Sequence, residues 1–231
     1  MRHAILLLAL AASSAPAKTD KPVPACSEPV KPVLFISPMG EPFRPNGANG
    51  DSGGDVPAKR WFDQADANHD GKLTIGEMML DADRFFALLD KDRNGEILPD
   101  EVYAYEENVV PEVRLYQRRI ERDPTEKTGE EEERPRPQKR KNNQPGPFEG
   151  VMGAGRYSFL NIPNPVASAD DDINRAISAR EFSAAAAERF RDLDAAQSKA
   201  LIFAQLPKTP AQLAANLACL ERVNAKKETR R

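Results

Sequence analysis

The chain has 231 residues, 40% of them hydrophobic and 30% charged, with 33 basic side chains against 36 acidic ones. A formal charge of −3 is too balanced for a nucleic-acid footprint, which needs a clear basic excess. His3 and His69 are the only histidines, which rules out a three-histidine zinc site and argues against a His-bearing triad.

The chain opens with Met1, Arg2 and His3, followed by an apolar run over 4–12 and the small residues Ala15, Pro16 and Ala17. A charged start, a short apolar stretch and a small-residue site have the form of a signal peptide over 1–17. The run is too short to span a bilayer, which takes about 20 apolar residues. The expectation is export to the periplasm or the extracellular space, with no stable membrane insertion after cleavage.

Of the 20 prolines, nine lie between Pro16 and Pro57 and five between Pro124 and Pro147. Residues 18–56 therefore read as a Pro/Gly-rich arm, in which 32–43 is apolar enough to dock extended on a surface. Asp55 is a candidate N-cap with Pro57 in the first turn, and Ala58, Trp61, Phe62 and Ala65 fall at helical spacing. Met78, Ala82, Phe85, Phe86 and Leu89 mark a second, one-sided helix. A third helix begins near Pro99 with Val102, Tyr105, Val109, Val113 and Tyr116, and Pro111 interrupts it.

Residues 123–150 alternate blocks of opposite charge with five prolines and are expected to be a disordered linker. Beyond the linker the pattern returns at a constant offset of 104. Asp170 falls on Asp66, Glu181 on Glu77, Phe190 on Phe86 and Asp194 on Asp90, as a duplicated two-loop unit would give. Thr209, Pro210 and Gln212 form a capping box with Pro at N1, opening a last helix with Leu213, Leu217 and Leu220 as its apolar face.

The chemistry lies in two twelve-residue stretches. Residues 66–77 carry Asp66, Asn68, Asp70, Gly71, Lys72, Thr74 and Glu77; residues 90–101 carry Asp90, Asp92, Asn94, Gly95, Glu96, Leu98 and Glu101. Both fit D-x-[DN]-x-[DN]-G-x5-E. Oxygens at positions 1, 3 and 5 wrap a hard cation while Gly at position 6 turns the chain. The carbonyl of Lys72 or Glu96 fills position 7, a water at Thr74 or Leu98 serves position 9, and the Glu at position 12 closes the shell.

These motifs resemble the EF-hand family over residues 57 to about 105. The resemblance implies an all-α fold of helix-loop-helix units with Ca2+ as cofactor. Lanthanide-selective relatives carry Pro at the second loop position, where Ala67 and Lys91 stand here. The loops begin only 24 residues apart, so a single helix joins them where familiar pairs have two, and their pairing partners are expected from the second half, through Ile177 and Leu201.

In the third loop Asp170, Asp172, Asn174, Ala176, Ser178 and Glu181 keep the liganding positions, but Arg175 replaces the turn Gly. That loop is either a weak metal site or one that only packs. The fourth, 194–205, has lost most ligands and reads as a packing vestige. His69 is expected to face solvent, and Met78 and Met79 either fill the core or line a docking groove. Cys26 and Cys219 are the only thiols and either form an end-to-end disulfide or stay free.

The division expected is a signal peptide (1–17), the arm (18–56), an EF-hand pair (57–122), the disordered linker (123–150), a degenerate EF-hand pair with the C-terminal helix (151–224) and a basic tail (225–231). The function expected is an exported calcium-binding protein, acting as buffer, sensor or calcium-stabilised module, and not an enzyme. The alternative is an interaction scaffold for an unidentified cell-envelope protein, in which calcium is only structural.

Overall fold

A computed structural model describes residues 23–46, 54–114 and 148–229. Helix α1 (Val56–Ala65) carries Pro57 in its first turn and buries Ala58, Trp61, Phe62 and Ala65. Asp55 precedes it without a side-chain capping bond and instead pairs with Lys208.

Helix α2 (Ile75–Leu89) opens with a capping box. Thr74 Oγ1 accepts the Glu77 N–H at 3.3 Å, and Glu77 Oε2 accepts the Thr74 N–H at 2.9 Å. Such a cap contributes about 1 kcal/mol. Short helix α3 (Pro99–Ala104) runs into a π turn (Tyr105–Val109) and a 3₁₀ turn (Pro111–Val113). Helix α4 (Ala179–Leu193) repeats the capping box with Ser178 and Glu181, and α5 (Pro210–Glu228) forms the expected one with Thr209 and Gln212.

Among the described residues, six two-residue strands pair antiparallel. Strands β1 (Phe35–Ile36) and β2 (Pro42–Phe43) form a hairpin. Strand β3 (Leu73–Thr74) of the first loop pairs with β6 (Ala200–Leu201) of the fourth. Strand β4 (Glu96–Ile97) of the second loop pairs with β5 (Ile177–Ser178) of the third. The offset of 104 holds between α2 and α4, β3 and β5, and β4 and β6.

One core spans both sides of the linker. The Phe182 ring lies 6.4 Å from Phe85 and 5.7 Å from Phe86, centroid to centroid, at distances where aromatic pairs contribute beyond their buried area. Phe35 sits among Phe159, Trp61 and Phe43 at 4.8, 5.6 and 6.3 Å.

Several expectations change. The fold is not plainly all-α: about half of the described chain is helical, and the strand pairs tie the loops together. The described part of the arm is ordered, and its hairpin enters the core, with Phe35, Ile36 and Met39 at most 2% exposed. Backbone polar groups explain why it can be buried. Tyr105 O–H donates to the Gly40 carbonyl (2.9 Å), Arg189 donates to that of Pro38 (3.0 Å), and Ile36 N–H donates to Tyr157 (3.0 Å).

The apolar face of α5 is also displaced by one residue. Gln212, Cys219 and Val223 are buried, whereas Leu213 and Leu217 are 42% and 37% exposed. The bridge at Cys219 fixes that side of the helix against the chain near Cys26. The third helix ends early: Val109 is 38% exposed, and the π turn lets Tyr105 and Val113 face inward. Residues 225–228 of the basic tail continue α5. The signal peptide expected over 1–17, Tyr116, and residues 123–147 of the expected linker lie outside the described residues.

Candidate metal centre

Each acidic loop leaves a helix at its position-1 Asp. In the first loop, Asp66 Oδ1 accepts the Asp70 N–H (3.2 Å) and Oδ2 accepts that of Gly71 (2.8 Å). Gly71 adopts φ 80° and His69 adopts φ 57° with an exposed side chain. Gly suits this position because a side chain at such φ costs about 1–2 kcal/mol. From the far end, Glu77 turns Oε1 back toward the Asn68 N–H at 3.4 Å. The Thr74 N–H bond, more than the Thr74 hydroxyl, holds the Glu77 carboxyl below the usual carboxylate range, against the effect of burial.

The second loop has the same construction. Asp90 accepts from Asn94 (3.1 Å) and Gly95 (3.0 Å), and Glu101 accepts from Lys91 (2.6 Å) and Leu98 (2.9 Å). One carboxylate oxygen from each of Asp90, Asp92 and Glu101 lies within 4.8 Å of the others. Asp66, Glu77, Asp90 and Glu101 are 3%, 8%, 7% and 8% exposed. Among the described residues no Lys or Arg forms an ion pair with these loop carboxylates. Asp92 is exposed, and among the described residues the first loop's Asp66, Asp70 and Glu77 do not converge within the same 4.8 Å. Converging anions with two of three buried and no cationic partner, as in the second loop, suit a hard divalent cation with oxygen ligands.

The third loop keeps this shape without the turn Gly. Asp170 accepts from Asn174 (3.2 Å) and Arg175 (3.0 Å), and oxygens of Asp170, Asp172 and Glu181 lie within 4.8 Å of one another. Arg175 adopts φ 74° and Ile173 adopts φ 60°. In the fourth loop Asp194 accepts from Ser198 and Lys199, but Ala196 and Gln205 stand at the other ligand positions, so the turn remains without a cradle. The Ser198 hydroxyl first, and the backbone N–H groups after it, keep the Asp194 carboxyl low against a small effect of burial.

The tertiary pairing places the loops two by two. Leu73 lies opposite Leu201, and Ile97 opposite Ile177, the contacts that the close spacing of the first two loops requires. Met78 is 1% exposed and Met79 packs against the core, as the packing alternative has it. Cys26 and Cys219 are bridged, with Cα atoms 6.0 Å apart. The sequence expectation of an extended segment over 32–43 holds no hairpin, although Ser37, Pro38 and Gly40 have the form of a turn between apolar pairs.

A family model described as EF hand matches residues 58–80. The match covers most of α1, all of the first loop and the opening of α2, and it carries an implied capacity to bind calcium. No curated protein and no solved structure matches the chain.

Proposed function

We propose that the chain is an exported calcium-binding protein of EF-hand type whose ions sit in the first two loops. Asp66, Asn68, Asp70, Lys72, Thr74 and Glu77 would hold one ion. Asp90, Asp92, Asn94, Glu96, Leu98 and Glu101 would hold the other, with the carbonyls of Lys72 and Glu96 and waters at Thr74 and Leu98. The observation that carries this is the Asp90–Asp92–Glu101 cluster, with Asp90 and Glu101 buried and Asp92 exposed, with which no Lys or Arg among the described residues forms an ion pair. The third loop would be a weaker site, because Arg175 adds positive charge and strain where Gly71 and Gly95 stand in the first two. A duplication of one two-loop unit accounts for the constant offset.

Among buffer, sensor and calcium-stabilised module, the last is favoured by the β1–β2 hairpin, which already occupies the interior that a sensor opens to a target. No catalytic residue is assigned. A scaffold role for an envelope partner is compatible with the same calcium sites. Calorimetric titration of the metal-free full chain tests the reading: two calcium events in the micromolar to millimolar range are expected, and no binding heat up to several millimolar would overturn it. Sequencing the mature N-terminus tests export, which requires cleavage near Ala17.

A further inference from the structure

The Cys26–Cys219 disulfide joins the chain ahead of the hairpin to the last helix. Around it the strap lies along α5: Asn216 accepts from the Cys26 N–H (2.8 Å) and donates to the Pro24 carbonyl (2.9 Å), and Lys226 pairs with Glu28 at 2.9 Å. The strap then passes the start of α1, where Val30 Cγ1 would lie 3.4 Å from a Cβ built on Gly54. Cys219 is fully covered and Cys26 is half-buried.

Helix α5 follows directly from the fourth loop, and that loop is seated on the first. Leu201 pairs with Leu73, the Phe203 ring lies 5.6 Å from Phe62, and Lys208 pairs with Asp55 ahead of α1. The disulfide therefore closes a ring that runs through strap, α5, fourth loop and first loop. The second loop pairs with the third, which α5 reaches through α4 and the fourth loop, and from the other side by touching the 3₁₀ turn Gly153–Arg156, which is still 14 residues ahead of Asp170.

We propose that this disulfide is a redox control on the first calcium loop. Resting on the calcium reading above, the inference is that a dithiol lowers the affinity of loop 66–77 and leaves loop 90–101 nearly unchanged. The dithiol supplies two electrons and two protons. The S–S bond breaks, Cys26 and Cys219 become thiols, and the reductant leaves as its own disulfide. Freed from the strap, α5 holds the fourth loop less firmly against β3, so the first loop loses part of the support that shapes it for the ion. By linkage, calcium in the first loop makes the disulfide harder to reduce.

The test uses the full chain with one calcium loop disabled at a time, oxidised and then treated with dithiothreitol. With Glu101→Gln, which leaves the first loop, reduction should weaken calcium binding about tenfold. With Glu77→Gln, which leaves the second, the change should stay under about twofold. Calcium at the first loop should correspondingly shift the dithiol–disulfide equilibrium about tenfold, or about 30 mV for a two-electron couple. Cys26→Ser in the otherwise native chain should reproduce the reduced state without a reductant.

Hydrogen exchange in metal-free protein reads the coupling by itself. Amides at Leu73 and Leu201 should lose protection on reduction, while those at Ile97 and Ile177 keep it. Unchanged affinity at the first loop, or equal loss at both loops and both ladders, would overturn the inference. Absence of calcium binding in the oxidised protein would instead bring down the calcium reading and the metal half of this inference, leaving the exchange experiment to decide the coupling.

Discussion

Leu73 of the first loop lies directly opposite Leu201 of the fourth, 128 positions away in sequence, and both are at most 4% exposed. A loop without an acidic cradle thus supplies the strand partner of an acidic loop. Replacing Leu201 with Ala should destabilise the protein by about 3 kcal/mol, as for a buried Leu, and weaken calcium at the first loop more than at the second. Ile177→Ala should show the opposite preference. Calorimetry with each variant checks the pairing.

Glu77→Gln and Glu101→Gln each remove a negative charge from one proposed cradle, at the position that closes the shell. Each should lower the affinity of its own loop at least about tenfold, and the double variant should lose both strong events. Two strong events persisting in the double variant would show that the ions bind elsewhere.

Arg175 and Ile173 hold left-handed backbone at φ 74° and 60°. Arg175→Gly should raise stability in urea by about 1 kcal/mol by relieving that conformation and should strengthen any calcium binding by the third loop. Ile173→Asn, at a position 83% exposed, should raise stability by a similar amount without touching a ligand. A loss of stability in both variants would contradict the loop geometry.

Gly40 adopts φ 105°, and a Cβ there would lie 2.7 Å from the Tyr105 hydroxyl oxygen and 3.2 Å from Val166. Gly40→Ala should therefore cost about 2 kcal/mol or more, combining backbone strain with displacement of the Tyr105 hydrogen bond to the Gly40 carbonyl. Thermal unfolding measures it. A neutral result would mean that the hairpin sits loosely on the core.

The acidic loops were legible in the sequence because their pattern is local. A cation shell drawn from twelve consecutive residues must display its oxygens at fixed spacing, and the turn Gly and closing Glu are part of that spacing. The helices around them were legible from 3.6-residue periodicity, a short-range signal, although the capping boxes at Thr74 and Ser178 appear only in the structure. The arm and α5 were less legible: scattered prolines conceal the Ser37-to-Gly40 turn, and three leucines mark a face of α5 that the fold leaves partly exposed.

The sequence by itself determined where the acidic loops lie, that helices start near Pro57, Pro99 and Pro210, and that the first two loops stand too close to pair as familiar EF-hand pairs do. Only the tertiary structure decided which loops meet, that the hairpin fills the interior, and that Cys26 lies within bonding distance of Cys219. Ligand spacing and helix caps are set within a dozen residues of chain. Strand partners and buried faces depend on apolar surfaces brought together from distant segments, and no local pattern records which surface will cover which.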